Sequence, residues 1–132
     1  MLVAVGNGGA VVTYGSGAYN GSLQASGTTN LLTGVTVGNG SLVAVGYGGA
    51  CIVSNLTASL WTPSTTGTSQ NLNGVAYGNG TFVAVGLNGT VVTSSDGSKW
   101  SAQKINTTGN LYGIAFGERG FVAVGDNGGI FT

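Results

Sequence analysis

Three carboxylates and three bases make up the fixed charge of this 132-residue chain. They are Asp96, Glu118 and Asp126 against Lys99, Lys104 and Arg119. A pair of carboxylates could carry general acid–base chemistry. Glu118 and Asp126, however, flank a single apolar run, which at strand geometry holds them about 20 Å apart, beyond the reach of a working pair. Asp96 and Glu118 are expected on one face in neighbouring repeats, as solvated turn residues. Histidine is absent and Cys51 is the one thiol, so no internal disulfide can form. No carboxylate cluster has metal-ligand spacing. Cys51 aligns with Val11 and Val91 of the other repeats, which marks it as a small buried apolar residue, not a nucleophile. No catalytic residue, metal or cofactor is expected.

Composition narrows the classes further. Charged residues are 5% of the chain, against roughly 25% in ordinary soluble domains. The formal net charge is zero, and binding to nucleic acid would need clustered Lys and Arg. No apolar run approaches the ~20 residues of a membrane-spanning helix. No basic start followed by an apolar signal region is visible. Gly6-Asn7-Gly8-Gly9 invites a phosphate-loop reading, but it is expected to join strand to strand with no helix following.

The few reactive groups hang on a repeated scaffold. The stretch LVAVG occurs at Leu2–Gly6 and Leu42–Gly46, and FVAVG at Phe82–Gly86 and Phe121–Gly125, at spacings of 40, 40 and 39 residues. A fixed period of this size marks a repeat architecture. Each copy is a short β-branched run between glycines, which reads as a strand. It shows little polar alternation, so both of its faces are expected to be covered. Ala4, Ala44, Ala84 and Ala123 sit at the centre, where a small side chain suits close packing of neighbouring sheets.

The second repeat is the fullest. Its expected strands are Leu32–Val37, Ser41–Val45, Ala50–Ser54 and a weaker one from Trp61, with Gly38-Asn39-Gly40 and Gly46-Tyr47-Gly48-Gly49 as turns. The third offers Leu72–Tyr77, Thr81–Val85, Thr90–Ser94 and a segment from Trp100 to about Asn106. The fourth offers Leu111–Phe116, Gly120–Val124 and Gly129–Thr132. The first offers the run at Leu2, then Ala10–Tyr14 and a segment near Ser22–Ala25. Four antiparallel strands per ~40 residues is the blade of a β-propeller. The expected fold is an all-β propeller, a single domain 1–132 with repeats near 1–30, 31–70, 71–109 and 110–132. Its terminal blades are incomplete: the first lacks its opening strand and the fourth its closing strand. The chain therefore reads as part of a propeller, completed by another copy of itself or by further sequence. A four-bladed monomer is the rival.

Residues Thr93-Ser94-Ser95-Asp96-Gly97-Ser98-Lys99-Trp100 follow the strand at Val91-Val92. They resemble the Asp-box of bacterial sialidase-like (BNR) propeller repeats, with one residue fewer between Asp and Trp. The phrase from Gly74 to Gly86 resembles the first hairpin of the same blades. In the second repeat the box has decayed to Ser54-Asn55-Leu56-Thr57-Ala58-Ser59-Leu60-Trp61, and in the first Tyr19 stands near the Trp position. The resemblance implies a structural box of Ser94, Asp96, Gly97 and Trp100, with Asp96 accepting turn N–H groups and Trp100 packing between blades. It also suggests a bacterial extracellular or cell-surface setting. Sialidase chemistry would need an arginine cluster, and Arg119 is the one arginine here, so the likeness does not extend to that activity.

Two functions remain open. The first is structural: a non-catalytic repeat module that associates with itself through neutral surfaces and unpaired strand edges. The second is a carbohydrate-binding module. Tyr47, Asn7, Asn88, Asp126 and Asn127, with Thr66, Thr68, Asn71 and Asn110, would gather on one face, where a ring can stack on a sugar and amides can bond its hydroxyls. A detached piece of a glycoside hydrolase ranks below both. The expected partners are the chain itself and, in the second case, glycans.

Overall fold

The computed structural model describes residues 1–15 and 20–132. The Tyr19 position lies outside the described residues. The chain is all-β, with four antiparallel sheets in chain order. The first holds β1 (Leu2–Val5), β2 (Val11–Tyr14) and β3 (Ser22–Gln24). The second holds β4 (Leu32–Gly38), β5 (Ser41–Gly46), β6 (Ala50–Asn55) and β7 (Trp61–Thr65). The third holds β8 (Leu72–Gly78), β9 (Thr81–Gly86), β10 (Val91–Ser94) and β11 (Ser101–Gln103). The fourth holds β12 (Leu111–Gly117), β13 (Gly120–Gly125) and β14 (Ile130–Phe131). Every sheet is a meander of sequential neighbours.

Turn chemistry explains the strand ends. Asn39 and Gly40 both have positive φ (48° and 74°), as do Asn79 and Gly80 (48° and 75°). That geometry matches the right-handed twist of a two-residue hairpin. The next turn is a single 3-10 turn in every sheet: Asn7–Gly9, Tyr47–Gly49, Leu87–Gly89 and Asp126–Gly128. The N–H of Thr90 closes such a turn on the Leu87 carbonyl, and that of Gly129 closes another on Asp126. β10 begins at Val91, one residue later than expected, and the expected Gly129–Thr132 strand is only Ile130–Phe131. The segment expected from Trp100 to about Asn106 contracts to Ser101–Gln103.

Period-two geometry gives each sheet two apolar faces. On one face lie residues equivalent to Leu42, Ala44 and Ile52. On the other lie those equivalent to Val43, Val45 and Cys51. Leu42, Ala44 and Ile52 pack on Val3, Val5 and Val11 of the first sheet, with Trp61 in the same cluster. Val43, Val45 and Cys51 pack on Phe82, Ala84 and Val92 of the third. Val83 and Val85 pack on Leu111 and Ala123 of the fourth. The core is therefore three layers between four sheets.

The expectation that all four copies of the repeated run are covered on both faces needs correction. Val43, Ala44 and Val45 are fully buried, whereas Leu2 is 59% and Val124 45% exposed. The first and fourth sheets have a neighbour on one side only, so half of each run faces solvent.

Polar stitches join neighbouring sheets. The first strand of each of the second to fourth sheets carries a register shift, between Leu32 and Gly34, Leu72 and Gly74, and Leu111 and Gly113. Such a bulge re-aims the extra residue. Thr33 Oγ1 donates to the Leu72 carbonyl at 2.7 Å, and Asn73 Nδ2 donates to the Leu111 carbonyl at 2.7 Å. The third member, Tyr112, is exposed. Beside the bulges, β4 and β8 run close together: a Cβ at Gly34 would lie 3.4 Å from the Val75 nitrogen and 3.5 Å from the Gly74 Cα, ordinary contact distances.

Candidate functional site

Asp96 sits in the turn that joins β10 to β11. Its Oδ1 accepts the N–H groups of Ser98 (2.8 Å) and Lys99 (2.9 Å) and the hydroxyl of Ser94 (3.0 Å). Ser94 Oγ in turn accepts the N–H of Gly97 at 2.8 Å. The Lys99 and Ser98 backbone donors hold the Asp96 carboxyl below its ordinary value, because they bond the charged form. The carboxylate is thereby occupied as a turn-former. Gly97 has φ +79°, and a Cβ there would come within 2.6 Å of Val43 Cγ2.

The Gly97 carbonyl is the node of this turn. Trp100 Nε1 donates to it at 2.9 Å, Ser64 Oγ of β7 at 3.2 Å and the Cys51 thiol of β6 at 3.7 Å. The single Ser64 hydroxyl proton is shared with the Ser98 carbonyl, 2.9 Å from Oγ. On the other side Asn39 Nδ2 reaches the Ser95 carbonyl at 3.4 Å. The turn therefore clamps the third sheet to the second. Burial pushes the Cys51 thiol up to about 12, against smaller opposing effects from Ser64 and Trp100. A thiol so buried stays protonated and unreactive near neutrality.

The equivalent turn of the second sheet keeps half of this device. Trp61 Nε1 donates to the Ala58 carbonyl at 3.1 Å, and Ala58 adopts φ 53° where the third sheet has glycine. Val11 replaces Cys51 on the facing strand, so no thiol reaches that carbonyl. Leu56 replaces Asp96, and the buried Ser54 hydroxyl has no partner among the described residues.

The residues considered for ligand binding occupy the row of 3-10 turns. Asn7, Tyr47 and Asp126 open their turns; Asn88 and Asn127 stand second, with φ 55° and 58°. The row is tied together by the chain entering each next sheet. Asn71 Oδ1 accepts the Gly48 N–H at 2.9 Å, and Asn110 Oδ1 accepts the Asn88 N–H at 2.9 Å. Asn88 Nδ2 bonds Gln70 at 2.9 Å, and Asp126 Oδ2 accepts the Asn110 N–H at 3.1 Å. Thr66 Oγ1 donates to the Gly49 carbonyl at 2.8 Å. Asn71, Asn88, Asn110, Asp126 and Thr66 are thus committed to joining turns and linkers. Asn7, Asn127 and the Tyr47 ring project free of side-chain bonds among the described residues, with Tyr47 43% exposed.

Two concavities lie away from this row. A groove of about 540 Å³ is lined by Met1, Val3, Val35, Val37, Leu42 and Leu56. A smaller cavity of about 170 Å³ lies between the third and fourth sheets beside Ile105, Phe121 and Phe131. Neither gathers titratable groups. Glu118 and Asp126 stand at opposite ends of β13, and among the described residues no group of three His, Cys, Asp or Glu converges.

Sequence reasoning overlooked the inter-sheet donors Thr33, Asn73 and Ser64. The signal for the first two was present: a polar residue recurs between Leu and Gly at the head of each repeat's first strand. No family model matches this chain, and no curated protein matches it significantly.

Proposed function

We propose that this chain is a non-catalytic β-propeller repeat module with a structural role, completing its ring by association with further copies of itself. The observation that carries the reading is the state of the end sheets. Each ends the stack with an uncovered apolar face: Leu2 and Leu23 on the first, Val122, Val124 and Ile130 on the fourth. Water contact with such faces is unfavourable by about 25 cal/mol per Å², and a chain with 5% charged residues has little charge to oppose association. The close approach of β4 to β8 at Gly34 and Gly74 supports a radial arrangement. The polar contacts at Asp96 support a box with a structural duty. Light scattering across a dilution series tests the proposal. Particles heavier than 12.9 kDa that dissociate on dilution are expected; one chain at every concentration would refute it.

A carbohydrate-binding module is the second reading, favoured by the exposed Tyr47 ring and the unbonded Asn7 and Asn127 amides in the same row of turns. A glycan array tests it: the reading requires a hit that Tyr47→Ala removes.

A further inference from the structure

The two uncovered faces are not alike. They are the two halves of the interface that the molecule already builds three times. The face of the first sheet carries Leu2, Ala4 and Val12, the repeat equivalents of Phe82, Ala84 and Val92. That of the fourth carries Val122, Val124 and Ile130, the equivalents of Val43, Val45 and Cys51. Inside the molecule those two sets pack on each other without exception in type, the Phe82 set on the Val43 set. We propose that the outward face of the first sheet docks on the outward face of the fourth sheet of a second copy of this chain, head to tail. This contact rests on the self-assembly reading and gives it a geometry.

Three features fit a second copy as the occupant. The docked pair would continue the stack with apolar side chains in equivalent places, Leu2 in that of Phe82 and Ile130 in that of Cys51. None of β1, β2, β13 and β14 carries a charged residue, so docking desolvates no ion. A head-to-head contact would set Leu2 against Leu2, a pairing found at no internal interface. Head-to-tail contacts are heterologous: they close into rings when the rotation allows and otherwise extend as filaments.

Two charged variants separate the possibilities. Leu2→Lys with Ala4→Lys blocks the first sheet's face. Val122→Lys with Val124→Lys blocks the fourth's. All four positions are exposed, so the core is untouched, and an unchanged strand signal in circular dichroism verifies folding. Each variant alone is expected to run as one chain of 12.9 kDa. An equal mixture is expected to form a species of two chains, because one partner keeps an open tail and the other an open head. If the wild-type chain assembles and the variant blocked on the fourth sheet still does so alone, the contact is between two first sheets or a strand exchange, and the proposal fails. If it assembles and the mixture stays monomeric, the contact lies elsewhere and the proposal again fails. In both cases the self-assembly reading survives. A wild-type chain that never assembles sinks both.

Discussion

The sequence LVAVG occurs twice with no difference, and the two copies live in different surroundings. In β5 it is Leu42–Gly46, and every side chain is buried. In β1 it is Leu2–Gly6, where Leu2 and Ala4 face solvent and Val3 and Val5 are half covered. FVAVG repeats the contrast: Phe82 is fully buried in β9, whereas Val122 and Val124 are exposed in β13. Burial is thus set by rank in the stack and not by residue type. An inner sheet has neighbours on both sides, and an end sheet has one.

The largest test of this contrast is truncation. Phe82→Ala should cost about 3–5 kcal/mol, since it empties a fully packed site. Leu2→Ala should stay within about 0.5 kcal/mol at dilutions where the chain is alone. Denaturant titration reads both. Equal losses would break the comparison by showing Leu2 to be covered.

The glycines that end the 3-10 turns sharpen it. Gly49 and Gly128 both hold positive φ, 73° and 69°. A Cβ at Gly49 would overlap the Thr68 carbonyl oxygen of the following linker, and one at Gly128 meets nothing within 4 Å. Gly128→Ala should cost about 1–2 kcal/mol, the left-handed penalty alone. Gly49→Ala carries that penalty and must also displace backbone, for a total of roughly 3 kcal/mol or more. Matching thermal shifts for the two would contradict the role given to the linker.

Ser94 and Ser54 compare the two inner turns. Ser94→Ala strips an acceptor from the buried Gly97 N–H and should cost about 1–3 kcal/mol. Ser54 has nothing to lose, so Ser54→Ala should be neutral or slightly stabilising. Chemical unfolding of both variants checks the difference.

The smallest effect is acid sensitivity. The Asp96 carboxyl lies below its ordinary value of 3.8 in the folded state. Its contribution is therefore complete above the unfolded value and is lost as pH falls through the folded one. The second sheet has Leu56 there and no such dependence. Asp96→Asn should lower the unfolding temperature near neutrality, with the gap between the two proteins narrowing as pH falls below 3.8. A constant gap across that range would place the effect elsewhere.

Much of this was legible without coordinates. The period, the Asn-Gly hairpins and the starts of β4 to β9 follow from local rules, because φ preference and period-two burial are properties of a few neighbouring residues. The turn at Asp96 was also readable, since its bonds span three residues. The Gly97 carbonyl node was not: Ser64 and Cys51 reach it from another sheet, across 33 and 46 residues. The same holds for Thr33 on Leu72. The candidate ligand face was half readable. Its turns were placed by sequence, but the amides of Asn71 and Asn110 proved to be spent on joining neighbours.

The amino-acid order by itself determined the strands, their meander and the two apolar faces of each sheet, because backbone conformation and side-chain alternation are local. Tertiary structure alone decided which of those faces meet water, since coverage depends on how many sheets stand alongside, and an open stack of four sheets leaves two sides bare.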